Sequence, residues 1–272
     1  MISFPNAKIN LGLHITEKRP DGFHNIETVF YPTGWCDVLE LIENRTGARA
    51  FNLHLSGLPI AGDLHDNLLY KAYQLISRSH LLPNIDVYLH KVIPMGAGLG
   101  GGSADAAFFI NLLDQAFELG LTEDFRIEIA RQLGSDCAFF IKNKPLYARE
   151  KGDVFEPVNI NLAGYYLAIV YANVHSNTKE AYSLVKPMAS TPLKNLIEQT
   201  PVKDWRSVLK NDFEISIFSK YPQVQALRDS LYNNGALYAC MSGSGSAVFG
   251  LFDKEPVLSE WADYPHWVGL LS

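Results

Sequence analysis

The chain has 272 residues, 47% hydrophobic and 19% charged, with a formal net charge of −6. That balance supplies a large core, and without Lys/Arg runs it leaves no electrostatic footprint for nucleic acid or an anionic membrane surface. No apolar run approaches the roughly 20 residues of a membrane-spanning helix, and the N-terminus lacks a basic segment leading into a long apolar run, so a cytoplasmic protein is expected.

Ala7, Ile9, Leu11, Leu13 and Ile15 alternate with Lys8, Asn10, Gly12 and His14, which predicts a half-buried strand over 7–15. Pro20-Asp21-Gly22 then turns the chain. Residues 26–31, 37–42 and 51–57 read as strands, 67–80 as a helix, and 85–93 as strand again. A helix is expected from Ser103 to about Leu119, and a second from Thr122 to just before Gly134, with Glu123 and Asp124 in its first turn. Residues 165–171 read as a buried strand, Thr178 opens a helix, and 237–241 with 247–252 form a strand pair. Strands and helices mixed without a regular βαβ rhythm indicate an α+β fold, arranged as two domains. Cys36, Cys137 and Cys240 are odd in number and lack metal-ligand spacing, so they read as reduced, buried thiols without a redox role.

"PMGAGLGGGSADAA", residues 94–107, places five glycines between the strand ending near Ile93 and the helix expected at Ser103. Glycines let backbone N–H groups approach phosphate oxygens, and a helix N-terminus favours negative charge there. The competing reading is a flexible loop whose glycines serve only a tight turn. No lysine follows the glycines, which excludes the P-loop pattern. Gly96, Gly98 and Gly101 satisfy G-x-G-x-x-G, but a second helix follows rather than a parallel strand, so a dinucleotide fold is not expected.

The stretch resembles the central motif of the GHMP kinases. "NAKINLGLHITEKRPDGFH" (6–24), "LGSDCAFF" (133–140) and "MSGSGSAVFG" (241–250) are similar to further stretches of one branch, in the expected order. That branch phosphorylates a cytidine-diphosphate methylerythritol in the non-mevalonate isoprenoid precursor pathway. The resemblance implies a GHMP kinase fold: an N-terminal domain (1–153) like domain 2 of ribosomal protein S5, and a ferredoxin-like C-terminal domain (154–272), with the site in the cleft between them. It implies transfer of the ATP γ-phosphoryl group to the 2-hydroxyl of the substrate, with Mg²⁺ accompanying the nucleotide. The implied partners are small molecules, with no nucleic acid or membrane, in a monomer or weak homodimer.

Residue by residue, Asp136 matches the family's catalytic aspartate and Lys8 the lysine that steadies charge beside it. Asp136 equally suits a helix N-cap, and Lys8 a surface lysine on the polar strand face. Asn10 matches an asparagine near the substrate. Phe23 and Tyr182 occupy the positions of a tyrosine and a phenylalanine that sandwich the cytosine; both depart from the common residue yet keep a ring able to stack. His24 matches the histidine that reads the cytosine edge, or is an ordinary hairpin histidine. Thr178 matches a substrate-contacting threonine or caps a helix, and Phe30 lines the alcohol pocket or the core. Pro94, Met95, Gly96, Ala97, Gly98, Leu99, Gly100, Gly101, Gly102, Ser103 and Ala104 form the implied phosphate cradle, with Asn67 and Lys91 beside the adenine. No carboxylate declares itself as a metal ligand. The rival expectations are a GHMP kinase of the mevalonate or homoserine type, and a non-catalytic sensor on the same fold, against which retention of Lys8 and Asp136 speaks.

Overall fold

The alternation at the N-terminus becomes a strand, Asn6–Lys18, but a half-buried one is not what forms. Residues 6–15 are buried on both faces, and Lys8, Asn10 and His14 are 3%, 2% and 3% exposed. The face read as solvated is instead an interior polar layer, because other segments of the chain supply hydrogen bonds to it. The computed structural model describes residues 1–47, 49–188 and 191–271. The chain divides into two compact units, one of residues 1–7, 35–95 and 100–143, the other of 8–34, 96–99 and Lys144 onward.

In the first unit the sheet order is Ile2–Ser3, Val38–Glu43, Ile85–Lys91, Phe51–Gly57. The first three strands pair antiparallel, and Phe51–Gly57 lies parallel to Ile85–Lys91. A parallel pair needs a crossover, and the helix Leu68–Ser77 supplies it, capped by Asn67. The helix after the glycines runs Gly101–Phe117 and buries Ala104, Ala106, Ala107, Phe109, Ile110, Leu112 and Leu113. An apolar surface that broad is explained by neighbours on several sides: Leu68–Ser77, Glu123–Leu133 and Cys137–Lys142 all pack on it. It opens at Gly101 rather than Ser103, since Gly100 makes the entry turn in a left-handed conformation (φ 72°) and no side-chain cap is used. The following helix begins as the sequence indicates, with the Thr122 side chain accepting from the Phe125 N–H.

The second unit holds two four-stranded sheets. One has the order Asn6–Lys18, His24–Cys36, Leu146–Arg149, Val154–Pro157. Its last two strands have four residues each, too short for alternation to reveal them. The other is antiparallel throughout, in the order Tyr238–Met241, Ala247–Phe252, Tyr166–Tyr171, His266–Leu270. Helices Glu214–Lys220 and Pro222–Asn233 contribute Ile217, Val224, Leu227 and Leu231 to its core, with Val170, Met241, Val248 and Trp261. The helix expected from Thr178 is one turn, Thr178–Ala181. Of the three thiols, Cys137 and Cys240 are buried and Cys36 only half-buried. Among the described residues no helix is long and apolar enough to cross a membrane.

Candidate functional site

The glycine segment alternates in burial, and that alternation explains its sequence. Ala97 and Leu99 are each 1% exposed and anchor it, while Gly96, Gly98 and Gly100 between them carry φ of 65°, 78° and 72°. A left-handed backbone costs an L-residue about 1–2 kcal/mol, so three such positions call for glycine. At Gly98 the demand is doubled, because a Cβ there would run into the carbonyl oxygen of Ser242. The carbonyls between are tied down: Ala97 accepts from the Ala247 N–H (3.0 Å), and Leu99 from the Lys8 N–H (2.9 Å). With no side-chain cap, the first-turn N–H groups at Gly101, Gly102 and Ser103 have no partner within the helix, an arrangement suited to an anion.

Lys8 turns the Gly98 carbonyl into the hub of a buried network. Its ammonium donates to Asn10 Oδ1 (2.7 Å) and to Gly98 O (3.0 Å), and lies 4.9 Å from the centroid of the Phe30 ring. Asn10 Nδ2 donates to Thr28 Oγ1 (2.9 Å), whose hydroxyl donates to Gly12 O (2.6 Å). Ser242 Oγ also donates to Gly98 O (2.8 Å), and Asn211 Nδ2 holds the carbonyls of Met241 and Gly243 at 2.8 Å each. Lys8, Asn10 and Phe30 are thus brought together with the loop. The surface-lysine reading of Lys8 fails, since the ammonium is buried and hydrogen-bonded. Phe30 is 2% exposed, and its ring faces this cation.

Asp136 occupies the N-cap position of Cys137–Lys142, yet its side chain makes no capping hydrogen bond. Its Oδ1 accepts from Ser135 Oγ at 3.3 Å. Burial pushes the neighbouring Cys137 thiol up to about 11, against a hydrogen bond from Ser103, and the Asp136 charge adds to the rise. The first turn of the glycine helix and the aspartate segment therefore meet through Ser103 and Cys137.

Beside that helix the first unit holds a cavity of about 340 Å³, walled by Leu53, Leu55, Leu64, Leu89 and Met95, with Asn67, Gly102 and Asp105 also lining it. Its size and apolar walls suit a heterocyclic base. Asn67 lines the cavity and caps the helix, its Oδ1 accepting from the Leu69 N–H at 2.9 Å. Lys91 does not take the expected position. It is 1% exposed, lines no part of this cavity, and its ammonium is held by Asp37 and by Asp105 Oδ2 (2.8 Å). A buried ammonium needs counter-charges more than it needs a ligand, and the fold supplies two.

Burial pushes the Asp105 carboxyl up to about 7, Asp37 adding to the rise and Lys91 opposing it. The folded protein thus holds a proton here that the unfolded chain releases near pH 4. The stability this contributes is full below about pH 4 and is lost as pH rises through about 7. Asp105→Asn is expected to shrink the fall in unfolding free energy between pH 5 and pH 8, measured by urea titration; an unchanged fall would refute the assignment.

In the second unit His24 stacks on Tyr182 with centroids 4.4 Å apart and planes 20° apart, and Phe213 meets Tyr182 edge-on at 4.7 Å. Burial and the Lys18 charge lower His24 below its ordinary value, which leaves the ring neutral near pH 7, with one donor and one acceptor for a base edge. Phe23 is 60% exposed, with Lys151 Nζ 5.5 Å from its centroid. Thr178 is exposed and is not a cap, because the Asn177 side chain accepts from the Glu180 N–H instead. Phe23→Ala and Tyr182→Ala are each expected to raise KM for a cytidine substrate about 5- to 150-fold, the scale of one stacking contact, with little change in kcat. Unchanged KM in both variants would remove these rings from substrate binding.

Four polar residues around the loop escaped the sequence reading. Thr28 sits at a strand position indistinguishable from core, while Ser242 and Asp105 lie inside motifs whose glycines drew the attention. His175, for which no local signal exists, lies so close to Gly96 that a Cβ there would strike its ring.

A glycine loop with left-handed turns, feeding a helix and pinned by a buried lysine, sets out a nucleotide-dependent small-molecule kinase. The family models described as GHMP kinases N terminal domain and GHMP kinases C terminal match residues 67–144 and 193–265, and the chain belongs to that family. It is 51% identical over 261 residues to the 4-diphosphocytidyl-2-C-methyl-D-erythritol kinase of Bacteroides fragilis strain YCH46, covering 96% of this chain and 95% of the relative. To the Parabacteroides distasonis enzyme of the same name it is 46% identical over 277 aligned positions, covering 100% of each chain. The crystal structure of a 4-(cytidine 5'-diphospho)-2C-methyl-D-erythritol kinase matches with a TM-score of 0.81 at 26% identity, covering 99% of this chain and 98% of that one. The mevalonate kinase of Methanococcus jannaschii, at 13% identity and a TM-score of 0.69 over 100% of this chain and 98% of its own, shares the fold alone.

Proposed function

We propose that this chain transfers the γ-phosphoryl group of ATP to the 2-hydroxyl of 4-diphosphocytidyl-2-C-methyl-D-erythritol, giving the 2-phosphate and ADP in the non-mevalonate route to isoprenoid precursors. The observation that carries this reading is the Lys8 network on the Gly98 carbonyl, in a chain 51% identical to kinases of that name. Asp136 accepts the hydroxyl proton, and Lys8 offsets charge on the attacking oxygen. Pro94 to Ala104 cradle the phosphates, and the cavity beside Asn67 takes the adenine. Asn10 and Phe30 border the reacting alcohol; His24, Tyr182, Phe23 and Thr178 hold the cytidine end. In this reading residues 1–153 and 154–272 act as the N- and C-terminal kinase domains.

Mg²⁺ accompanying the nucleotide would supply neutralisation of its phosphate charge. The Ser103 hydroxyl at the first turn of the glycine helix is an oxygen donor of the kind a hard cation accepts and would be the residue to hold it. Phosphoryl transfer of this kind depends on positioning and electrostatics, which suits a loop whose Ala97, Gly98 and Leu99 carbonyls are fixed by partners.

The test is ADP release with the cytidine-diphosphate alcohol, mevalonate and homoserine in parallel. Turnover is expected with the first alone. Turnover of mevalonate or homoserine in its place, or of none with nucleotide still bound, would overturn the reading.

A further inference from the structure

The network on the Gly98 carbonyl has a direction, and a fully buried hydroxyl sets it. Asn10 carries a carboxamide whose two ends have nearly the same shape and opposite hydrogen-bonding sense. Its Oδ1 faces the Lys8 ammonium at 2.7 Å, with Ser242 Oγ at 3.4 Å. Turned end for end, the amide would aim N–H groups at an ammonium, donor against donor. At the other end Nδ2 donates to Thr28 Oγ1 at 2.9 Å, its one partner among the described residues. A hydroxyl has a single proton, and Thr28 gives it to Gly12 O at 2.6 Å, so toward Asn10 it can only accept. Each hydrogen bond from Gly12 through Thr28, Asn10 and Lys8 to Gly98 therefore has one possible sense. Threonine is stiff about its first side-chain bond, which holds Oγ1 in place. Thr28, Asn10 and Lys8 are 0%, 2% and 3% exposed, which leaves no water to stand in for a lost partner.

We propose that Thr28 is a positioning residue for phosphoryl transfer, its hydroxyl orienting the Asn10 carboxamide and, through it, the Lys8 ammonium. This rests on the reading that Lys8 offsets charge on the attacking oxygen. With no exposed surface Thr28 does not touch substrate, and it acts through Asn10. An ammonium on a flexible four-carbon stem can occupy many places, and two fixed oxygens, Asn10 Oδ1 and Gly98 O, define one. The first of these is only as fixed as the amide that bears it. The effect falls on the step in which charge develops, where a preorganised electrostatic group contributes more than it does to ground-state binding.

The test measures kcat and both KM values with ATP and the cytidine-diphosphate alcohol, well below the melting temperature of each variant. Thr28→Val keeps the shape and removes the hydroxyl. Its kcat is expected to fall about 10- to 100-fold, the scale of a displacement near 1 Å, with both KM values within about threefold of wild type. Thr28→Ser returns the hydroxyl with a looser side chain and should recover kcat to within about fivefold of wild type. Asn10→Ala removes the amide through which Thr28 acts, so adding Thr28→Val to it should change kcat by less than about twofold. Ser230→Ala is the control for lost stability. The Ser230 hydroxyl likewise donates to a carbonyl, Leu227 O at 2.8 Å, and accepts from a side-chain N–H, Trp261 Nε1 at 2.9 Å. Its loss should lower the melting temperature and leave kcat unchanged. Wild-type kcat in Thr28→Val, no recovery in Thr28→Ser, a multiplied loss in the double variant or an equal loss in Ser230→Ala overturns the proposal and leaves the kinase reading in place. So does failure of Thr28→Val to fold where Thr28→Ser folds, which makes the hydroxyl structural. Absence of turnover by the wild-type enzyme overturns both.

Discussion

Asp136→Asn is expected to lower kcat by about 10²- to 10⁴-fold, the scale of losing a general base, with KM for ATP within a few-fold of wild type. The structure makes this substitution unusually clean. Replacing a capping Asp by a non-capping residue costs about 0.5–2 kcal/mol of stability, which often blurs such experiments. Here the Asp136 side chain caps nothing, although it stands at the N-cap position of Cys137–Lys142. The Asn side chain retains an acceptor for the Ser135 hydroxyl, which reaches Oδ1 at 3.3 Å. The melting temperature should therefore stay within about 2 °C, corresponding to about 1 kcal/mol in a chain of this size. Turnover equal to wild type would remove the base assignment. A fall in kcat accompanied by a large loss of stability would make the residue structural.

Gly98→Ala should cost about 10²-fold or more in kcat/KM, through backbone displacement and not through loss of any side chain. At φ +78° an alanine is strained by about 1–2 kcal/mol before any contact is counted. Its methyl would also collide with the Ser242 carbonyl, so either the loop or the Met241–Gly243 turn must move. The Gly98 carbonyl is where Lys8 Nζ and Ser242 Oγ converge, at 3.0 and 2.8 Å. Moving it shifts the ammonium and the phosphate loop together, and a misplacement near 1 Å is enough for an effect of this size. Gly164→Ala is the control for backbone strain alone, because φ is +89° there and a Cβ would meet nothing within 4 Å. Equal losses in the two variants, in steady-state assays with ATP varied, would show that strain and not the Gly98 contact is at issue.

Much of the framework was legible because it depends on neighbours in sequence. Thr122 caps its helix as the residues dictate, the strand Phe51–Gly57 ends where the period-2 pattern ends, and the hairpin around the 242–246 turn pairs as read. The glycine segment announced its strand-to-helix setting, since the left-handed turns at Gly96, Gly98 and Gly100 are local requirements. Short strands such as Leu146–Arg149 and Val154–Pro157 were invisible, having four residues each, and the first of them finds its other partner at Thr28–Phe30, far back along the chain.

The site divides along the same line. Chemistry-bearing residue types in motif order, Lys8, the glycines and Asp136, belong to the sequence alone, together with the α+β class and the acidic, weakly charged surface. What each polar group does was decided by tertiary structure. Nothing near Lys8 reveals that its ammonium would be buried against a carbonyl 90 residues away. Nor does anything near Lys91 foretell capture by carboxylates 54 and 14 residues distant, or near Tyr182 that its face would be covered by His24. The physical reason is that a buried polar group takes whichever partner the fold delivers, and desolvation makes that choice worth more than any local preference.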